Sequence, residues 1–384
     1  MTKEKLTVNE LFSGIGAQRK AFERLGIPHE VVGISEIDKY AIQSYEAIFG
    51  KTKNYGDICT APRLDYADLW TYSFPCQDIS VAGRGKGINE GTRSGLLYQV
   101  QRLLEVAKGE GTLPKYLLLE NVKNLVGKKF KSQFDDWLFY LDQLGYDTYW
   151  QVLNAKNYGI PQNRERVFAI SIRKDLNQSF EFPKAEELTI RLKDVLEEEV
   201  DEKYYLSEKI VNRFRASNNF GPNIIGTTIG EECTRHGQRD YVYNPDKIIG
   251  ALCSSDYKQP KQIGLSIRVK EATKKGYAEA TIGDSINIEQ PNSKTRRGRV
   301  GHGVAQTLTT SPQQVIVLED IRIRKLTPLE CWRLMGFDDE DFHKAQQSGV
   351  SNSQLYKQAG NSIVVNVLEK IFKNLIDQRE KDQD

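Results

Sequence analysis

A cysteine between a short apolar run and a glycine-rich loop is the first residue of this sequence that could do chemistry. Cys76 follows the run Leu69–Tyr72, which the apolar pattern predicts to be a buried strand. It precedes a loop that contains Gly83, Gly85, Gly87, Gly91 and Gly95. A thiol held at a strand end beside an open loop could act as a nucleophile. A cysteine that only packs in the core is the alternative, and this short motif alone does not decide between them.

Charged side chains that could assist a nucleophile follow later predicted strands. Glu120 ends the run Lys115–Leu119, and Arg164 and Arg166 precede the run Val167–Ile172. Arginines at positions i and i+2 of a strand point to one face, where they could bind a phosphate or a carbonyl oxygen. The structural alternatives are a surface ion pair for the arginines and a helix-start acid for the glutamate.

The N-terminal part of the chain has a pattern typical of nucleotide-binding α/β folds. The predicted strand Leu6–Leu11 is followed by Gly14 and Gly16 and then by a helix over Gln18–Leu25. Glu36 ends the next predicted strand, 20 residues after Gly16, about the spacing at which an acid meets ribose hydroxyls. No Gly-x-Gly-x-x-Gly or Walker lysine occurs here. We therefore predict a cofactor that contains adenosine, with neither a nicotinamide nucleotide nor ATP as the first choice.

The elements that must position these side chains alternate between strand and helix. Such alternation predicts a mostly parallel sheet with helices on both faces, in which ligands bind outside the carboxyl ends of the strands. The residues at that edge are Gly14, Glu36, Asp57, Cys76 and Glu120. The predicted strands Thr148–Leu153 and Val167–Ile172 are too close in sequence for a helical crossover, so we expect antiparallel neighbours. Arg164 and Arg166 would then lie at the same edge.

The alternation ends near Pro183. Residues 186–232 contain 6 basic and 11 acidic residues, whereas residues 233–310 contain 13 basic and 7 acidic residues, a net charge of +6. The basic part includes Lys294–Gly303, a stretch suited to contact with nucleic-acid phosphates and base edges. A solvated basic loop is the alternative. His236 and His302 have no second ligand at metal-site spacing, so we predict no metal site.

Regular patterning returns in the last part of the chain. We predict a helix over Lys325–Phe337, with Thr327 as its N-cap and Gly336 as its end. The run Gln358–Ser362 is predicted to open a last helix, Ile363–Ile376.

Composition limits the class of protein. The 384 residues predict two or three domains, and the net charge of +2 says nothing about a partner. Five cysteines form no Cys-x-x-Cys pair, which argues against a zinc or dithiol redox motif. The N-terminus lacks the apolar stretch of a signal peptide, and no apolar run approaches membrane-spanning length. We expect a cytoplasmic protein with reduced thiols and no membrane association.

Five sequence blocks, in this order, resemble the C5-cytosine DNA methyltransferase family. They are Phe12-Ser13-Gly14-Ile15-Gly16, Pro75-Cys76-Gln77, Glu120-Asn121-Val122, Gln162-Asn163-Arg164-Glu165-Arg166 and Gly360-Asn361-Ser362. The resemblance covers residues 7–175 and 319–376, and the region between them corresponds to the family's variable target-recognition domain. Thr307-Leu308 resembles a pair that the family keeps near the end of that domain.

The resemblance implies an α/β fold: a doubly wound, mostly parallel sheet of the S-adenosylmethionine-dependent methyltransferase type, with a smaller, β-rich target-recognition domain. It implies a catalytic and cofactor-binding domain over residues 1–185, target recognition over 186–318 and a return to the catalytic domain over 319–384. The branch that it resembles is the bacterial or phage restriction–modification type.

The resemblance also implies a cofactor, S-adenosylmethionine, and a set of residues that bind it. These are Phe12, Gly14, Gly16, Glu36, Ile37, Asp57, Ile58, Pro75, Leu96, Asn361 and Ser362. Cys76 is implied as a thiolate that attacks C6 of cytosine, and Glu120 as the group that holds and protonates N3. Arg164 would contact O2 of the base, and Arg166 a neighbouring phosphate or the surroundings of the thiolate. Attack at C6 turns C5 into an enamine carbon that can accept a methyl group.

The implied substrate is a cytosine in a specific sequence of double-stranded DNA. Its C5 is inaccessible in a duplex, so the base must flip out, and the glycine-rich loop could close over it. The residues expected to contact DNA are Ser80, Arg84, Arg93, Gln162, Arg296, Arg297, Arg299 and Thr307. We expect a monomer, and a cognate restriction endonuclease could share the target without being required for activity.

Three other functions are weighed against this one. Related enzymes that methylate a transfer-RNA cytosine typically carry Cys-Phe-Thr in the variable region, which is absent here. A catalytically inactive nucleic-acid-binding module would not need Cys76, Glu120 and Arg164 together. A thiol-redox enzyme would need a partner cysteine near Cys76.

Overall fold

Two compact units make up the chain. The computed structural model describes residues 5–75, 94–206, 215–216, 223–228, 240–265, 267–274, 277–280, 285–287, 299–301, 314–316 and 322–381. The first unit comprises Met1–Ile190, Gly250–Lys258 and Pro328–Asp384, and the second comprises Arg191–Ile249 and Gln259–Thr327. Within the described ranges, no helix has the length and apolar character needed to cross a membrane.

A six-stranded sheet forms the centre of the first unit. The strands of this unit are β1 (Leu6–Leu11), β2 (His29–Ser35), β3 (Leu69–Tyr72), β4 (Tyr116–Val122), β5 (Tyr146–Asn154), the short β6 (Gln162–Asn163) and β7 (Glu165–Arg173). The sheet has the order β2-β1-β3-β4-β7-β5. β2, β1, β3 and β4 run parallel, whereas β7 is antiparallel to both β4 and β5. The mostly parallel sheet and the antiparallel pair that the sequence predicts are confirmed.

Helices that pack around this sheet come from both ends of the chain. They are α1 (Ala17–Leu25), α2 (Lys39–Phe49), α3 (Leu97–Glu110), α4 (Lys131–Gln143), α5 (Pro328–Arg333), α6 (Asp339–Gln347), α7 (Asn352–Asn361) and α8 (Val365–Lys381). Leu104 of α3 and Trp137 of α4 share a buried cluster with Trp70 of β3. Phe22 of α1 and Phe372 of α8 stack with ring centroids 4.1 Å apart. Burial of these apolar faces holds the helices in place.

The start of α2 lies directly after the carboxyl end of β2 and is fixed by a local cap. The Asp38 side chain accepts hydrogen bonds from the backbone N–H groups of Tyr40 and Ala41, at 3.0 and 3.4 Å. Asp38 also forms an ion pair with Lys357 of α7, at 2.6 Å. The cap and the ion pair together hold the β2–α2 turn against the C-terminal helices.

The C-terminal elements differ from the predicted ones. The helix predicted over Lys325–Phe337 is limited to Pro328–Arg333, because the residues before it form a strand of the second unit. Residues 358–361 end α7 instead of opening the last helix, and α8 begins only at Val365, whose N–H donates to the Met335 carbonyl at 3.0 Å. Helices α6 and α7 were not predicted from the sequence.

Short strands build the second unit. They are β8 (Arg215–Ala216), β9 (Ile224–Thr227), β10 (Tyr241–Tyr243), β11 (Ile249–Gly250, at the boundary), β12 (Gln262–Leu265), β13 (Ile267–Lys270), β14 (Tyr277–Ala280), β15 (Ser285–Asn287), β16 (Val300–Gly301), β17 (Gln314–Ile316) and β18 (Arg322–Lys325). One sheet has the order β18-β12-β10-β9-β8, β13 pairs with β14, and β15 lies between β16 and β17. The smaller, β-rich part of the predicted fold is therefore present.

The boundaries between the units differ from the predicted ones because composition does not reveal contacts. Residues 186–190 stay with the first unit, where Glu186 donates its N–H to the Asn157 carbonyl at 2.9 Å and pairs with Lys370. Residues 319–327 belong to the second unit, where β18 pairs with β12. Gly250–Lys258, predicted inside the recognition domain, packs in the first unit. Which unit catalyses and which recognises the target stays a prediction.

Candidate active site and cofactor cavity

The carboxyl ends of β1, β2 and β3 surround a cavity of about 240 Å³ in the first unit. It is lined by Phe12, Ser13, Gly14, Ile15, Ala17, Gln18, Ser35, Glu36, Ile37, Asp38, Ala41, Gly56, Asp57, Ile58, Ser73, Pro75, Leu96, Gln358, Asn361, Ser362 and Ile363. Of the residues predicted to bind the cofactor, Gly16 alone is missing from this lining. Residues at the carboxyl ends of the strands and residues of the Gly-Asn-Ser motif thus line the same cavity, although some of them are more than 300 positions apart in sequence.

The turn after β1 contains backbone conformations that residues other than glycine rarely adopt. Phe12 has φ of 58° and Gly14 has φ of 56°, both in the left-handed region. The Gly14 N–H donates to Glu36 Oε2 at 2.9 Å, and Glu36 Oε1 accepts from the N–H groups of Ile37 and Asp38 at 2.8 and 2.9 Å. Glu36 therefore ties the turns after β1 and β2 to each other at the mouth of the cavity.

Gly16 lies behind the cavity. It is the N-cap of α1, with φ of 80°, and a Cβ built on it would lie 2.5 Å from the Phe49 ring and 2.8 Å from the Tyr45 ring. Only glycine lets α1 approach α2 this closely. The structure therefore gives Gly16 a packing position where the sequence predicted a cofactor contact.

Apolar and polar groups of the cavity lining match different parts of a nucleoside-containing ligand. Ile37 is 71% exposed at the mouth of the cavity, so its apolar side chain is accessible to a ligand there. Ser13 Oγ and Gln18 Oε1 are buried and have no hydrogen-bond partner among the described residues. Buried polar atoms rarely stay unpaired, so these two fit a ligand with polar groups. The sequence analysis did not assign either side chain, although both lie in the turn and helix that it singled out.

Glu120, at the end of β4, is the buried acid of the catalytic edge. Its side chain is 8% exposed, and Arg166 Nε lies 3.3 Å from its Oε1. Burial raises the pKa of the Glu120 carboxyl, and the nearby Arg166, Arg164 and Ser73 side chains oppose that rise only in part. The β4–β7 register places Arg166 opposite Val122, so the antiparallel strand delivers this arginine to the end of β4. A carboxyl of this kind can hold a proton closer to neutral pH.

The segment that leads to the predicted nucleophile is anchored beside Glu120. Asn121 donates its Nδ2 hydrogen to the Phe74 carbonyl at 3.0 Å, and the Ser73 side chain hydrogen-bonds to Glu120. Pro75 lines the cofactor cavity. Cys76 itself lies outside the described residues. Its chain neighbours therefore stand between the cavity and the buried acid, and Asn121 is an anchor that the sequence analysis did not identify.

Arg164 has an environment different from the predicted one. It is 3% exposed, its Nη1 donates to the Leu252 carbonyl at 2.8 Å, and its Nη2 donates to the carbonyls of Gly360 and Ser362 at 3.1 and 2.8 Å. Backbone carbonyls bind both terminal nitrogens, so the side chain connects the backbone of Leu252 to that of Gly360 and Ser362. The sequence predicted a contact with cytosine O2 instead.

Gln162, predicted to contact DNA, is fully buried. Its Nε2 donates to the Leu334 carbonyl at 2.8 Å, and its Oε1 accepts from the Leu252 N–H at 3.1 Å. A side chain bonded at both ends inside the first unit cannot reach a DNA surface without breaking those bonds. The structure thus shows Gln162 in a structural position, and its contact with DNA stays a prediction.

Of the remaining residues predicted to contact DNA, only Arg299 is among the described residues. Ser80, Arg84, Arg93, Arg296, Arg297 and Thr307 lie outside the described residues. Arg299 is described and is buried, at 4% exposure, where its backbone N–H donates to the buried Glu271 side chain. Arg299 is therefore not exposed in this structure, and its contact with DNA stays a prediction.

Comparison with known proteins places this geometry in a family. A model of the C-5 cytosine-specific DNA methylase family matches residues 6–377. The type II methyltransferase M2.ScrFI of Lactococcus lactis subsp. cremoris is 36% identical, covering 96% of this chain and 99% of its own length. The orphan methyltransferase M.SPBetaI of Bacillus phage SPbeta is 34% identical, covering 97% and 98%.

A solved structure shares the fold. The Dnmt2 methyltransferase of S. pombe superposes with a TM-score of 0.62 at 21% identity, over 97% of this chain and 99% of that one. The family match and the two relatives show the family, and the solved structure shows the fold. The chain belongs to the C-5 cytosine-specific DNA methylase family and is a DNA (cytosine-5-)-methyltransferase.

Proposed function

We propose that this enzyme transfers a methyl group from S-adenosylmethionine to C5 of a cytosine that is flipped out of a specific double-stranded DNA sequence, through a covalent bond between Cys76 and C6. The observation that carries the proposal is the Glu120 carboxyl, buried beside Arg166 and bonded to Ser73. Ser73 and Pro75, three positions and one position before Cys76, line the cofactor cavity. Nucleophile, acid and methyl donor would then meet at one edge of the sheet.

The cavity offers partners for each part of S-adenosylmethionine. Glu36 would accept hydrogen bonds from the ribose hydroxyls, Asp57 would accept one from the adenine amino group, and Ile37 would cover the ring. Phe12, Ile58 and Leu96 would add apolar contact, and Asn361 and Ser362 would close the wall from α7. The unpaired oxygens of Ser13 and Gln18 would gain partners from the polar end of the ligand. When bound, the cofactor supplies a methyl group on a positively charged sulfur.

The chain's own residues would make C5 nucleophilic. The Cys76 thiolate forms a bond to C6, and the displaced ring electrons pass toward N3, which takes the Glu120 proton. C5 then has enamine character and accepts the methyl group. Loss of the C5 proton to water, cleavage of the Sγ–C6 bond and return of the N3 proton to Glu120 regenerate the thiolate and the acid and release methylated cytosine. A glutamate whose pKa is raised by burial suits this role because burial favours the protonated carboxyl, the form that donates.

We assign Arg164 and Arg166 roles that differ from those predicted from the sequence. Arg166 lies next to Glu120, so we assign to Arg166 the contact with cytosine O2 and the electrostatic support of the site. Arg164 is buried among carbonyl groups, and we assign to it the positioning of the backbone around the site. Both assignments follow from their neighbours in the first unit.

Target recognition would lie in the chain between the two parts of the catalytic region. Residues 233–310 carry a net charge of +6, which favours contact with phosphates. Arg296, Arg297 and Thr307 are our candidates for base contact there, and Ser80, Arg84 and Arg93 are our candidates in the loop over the flipped base. We propose a monomer that acts on DNA in the bacterial cytoplasm. The named relatives include a type II and an orphan enzyme, so a restriction endonuclease is no part of the proposal.

A trapped covalent adduct tests the mechanism. DNA in which 5-fluorocytosine replaces the target base should form a denaturation-resistant adduct with the enzyme when S-adenosylmethionine is present, because fluorine cannot leave as a proton does. Bisulfite sequencing of DNA from cells that express the enzyme would first identify the target.

The matched variants of this test change one cysteine each. Cys76→Ser should form no adduct, whereas Cys59→Ser, which removes an exposed free thiol near the cavity, should form it as the wild type does. An adduct that persists in Cys76→Ser or maps to another cysteine would refute the covalent assignment. A chain that methylates transfer RNA and not DNA would refute the substrate.

A further inference from the structure

Nine residues from the middle of the chain, Gly250–Lys258, pack within the first unit although residues of the second unit precede and follow them in sequence. They contact α7 where it carries the Gly360-Asn361-Ser362 motif. A Cβ built on Gly360 would lie 2.3 to 2.4 Å from the Cys253 carbonyl group and the Ser254 nitrogen. No other residue type fits there without a shift of backbone, so Gly360 seats this segment against α7.

Arg164 fastens the same contact from the other side. Its guanidinium bonds to the carbonyls of Leu252, Gly360 and Ser362, which belong to this segment and to the end of α7. The Leu252 N–H in turn donates to the side chain of Gln162, two positions before Arg164. One buried arginine, directly before strand β7, therefore joins the segment to the backbone of Gly360 and Ser362, and Ser362 lines the cofactor cavity.

Asp256 shapes the segment itself. Its side chain is 4% exposed, and its Oδ2 accepts from the Cys253 N–H at 2.9 Å while its own N–H donates to the Cys253 carbonyl at 3.0 Å. This reciprocal pair closes the single helical turn Ser254–Tyr257. The turn fixes the Leu252–Cys253 backbone, and with it the carbonyl that Arg164 binds.

We propose that Gly250–Lys258 is a positioning element for the cofactor site, and that Asp256 is a positioning residue acting through Leu252 and Arg164. The segment holds the Gly360–Ser362 wall of the cavity in the shape that binds the cofactor. The inference rests on the proposed function, because its readout is affinity for S-adenosylhomocysteine, the product form of the cofactor.

The first experiment compares two aspartates with the same capping geometry. Asp194 closes the turn Leu192–Val195 in the second unit by accepting from the Arg191 N–H at 2.6 Å. Calorimetry on the full-length enzyme should show that Asp256→Ala binds S-adenosylhomocysteine about 3- to 30-fold more weakly, the range expected when a cap is lost. Asp194→Ala should stay within about twofold of wild type. Asp256→Asn should recover most of the loss because the amide oxygen can accept the same hydrogen bond.

The second experiment compares two helical glycines and does not depend on Asp256. Gly360→Ala should weaken S-adenosylhomocysteine binding, because its Cβ displaces the Cys253 backbone. Gly109→Ala in α3 should leave binding unchanged, since no described residue beyond its own helix lies within 4 Å of a Cβ there. Thermal melts show whether each variant folds.

The outcomes separate the two proposals. A wild type that does not bind S-adenosylhomocysteine contradicts the proposed function itself. A wild type that binds it, with Gly360→Ala and Asp256→Ala binding equally well, overturns the positioning role. So does an equal loss in Asp194→Ala and Asp256→Ala, because that result marks general destabilisation.

Discussion

Two glutamates near the carboxyl ends of parallel strands are both buried, but their surroundings give them different uses. Glu10 of β1 and Glu120 of β4 both have a raised pKa, and burial is the main cause in each. Both oxygens of Glu10 are bonded, to the Tyr45 hydroxyl at 2.7 Å and to the Arg19 N–H at 2.9 Å. Glu120 instead sits at the strand end beside Arg166. A raised pKa alone does not mark a catalytic acid; the position of the carboxyl relative to the strand end and the cavity does.

The Glu10 site is a closed internal network. Arg19 extends it through a hydrogen bond to Thr52 at 3.1 Å and another to the Phe49 carbonyl at 3.2 Å. The network lies on the side of α1 that faces α2, where Gly16 makes the close contact. This side is behind the turn after β1. We therefore assign Glu10 to the stability of this corner and Glu120 to the reaction.

The largest expected effect comes from replacing Glu120 by glutamine, and the same replacement at Glu10 is the comparison. Glu120→Gln keeps the shape of the side chain but cannot deliver a proton, so turnover of target DNA should fall by about 10²- to 10⁴-fold. Glu10→Gln should keep turnover within about threefold at pH 7. Tritium transfer from labelled S-adenosylmethionine measures both.

The two variants should also differ in what they leave intact. Glu120 does not line the cofactor cavity, so Glu120→Gln should bind S-adenosylhomocysteine as tightly as wild type. Equal losses of turnover in Glu10→Gln and Glu120→Gln would contradict the distinction between the two sites.

A third glutamate extends the comparison to binding. Glu36→Ala removes a carboxylate that lines the cavity and bonds three backbone N–H groups. Loss of a charge-assisted hydrogen bond costs about 1.5–3 kcal/mol, so affinity for S-adenosylhomocysteine should fall about 10- to 150-fold. Glu46→Ala, on the exposed side of α2, is the matched control and should bind normally. Wild-type affinity in Glu36→Ala, measured by calorimetry, would refute its role.

The smallest expected effect is a pH dependence of stability from Glu10. Burial raises the pKa of its carboxyl from 4.5 to about 7. Below pH 4.5 both folded and unfolded chains carry the proton; between pH 4.5 and 7 only the folded chain does, so stability falls as pH rises through this window. Glu10→Gln should remove roughly 1–3 kcal/mol of that fall.

Urea unfolding at pH 5, 6, 7 and 8 measures this effect. The wild-type free energy of unfolding should decline more steeply than that of Glu10→Gln between pH 5 and 7, and the two should run parallel above pH 8. Parallel curves throughout would mean that Glu10 ionises as an ordinary exposed acid does.

The sequence by itself determined which residues come to the carboxyl edge of the sheet. Glu36 and Glu120 each follow an apolar run, and the parallel order brings such strand ends together whatever the details of packing. The short connection before Val167 likewise required an antiparallel strand and thereby placed Arg166 beside Glu120. These conclusions depend on spacing of a few residues, which a sequence displays directly.

Only the tertiary structure decided what the side chains at that edge touch. Arg164 and Arg166 look equivalent in sequence, yet Arg164 turns inward because carbonyls 88 to 198 positions away are there to bind it. Gln162 and Arg299 read as polar contact residues and are buried. Gly250–Lys258 belongs to the first unit because Gly360 leaves room for its backbone. Such contacts join parts of the chain that share no local pattern. They are determined by packing, and residue spacing in the sequence does not predict them.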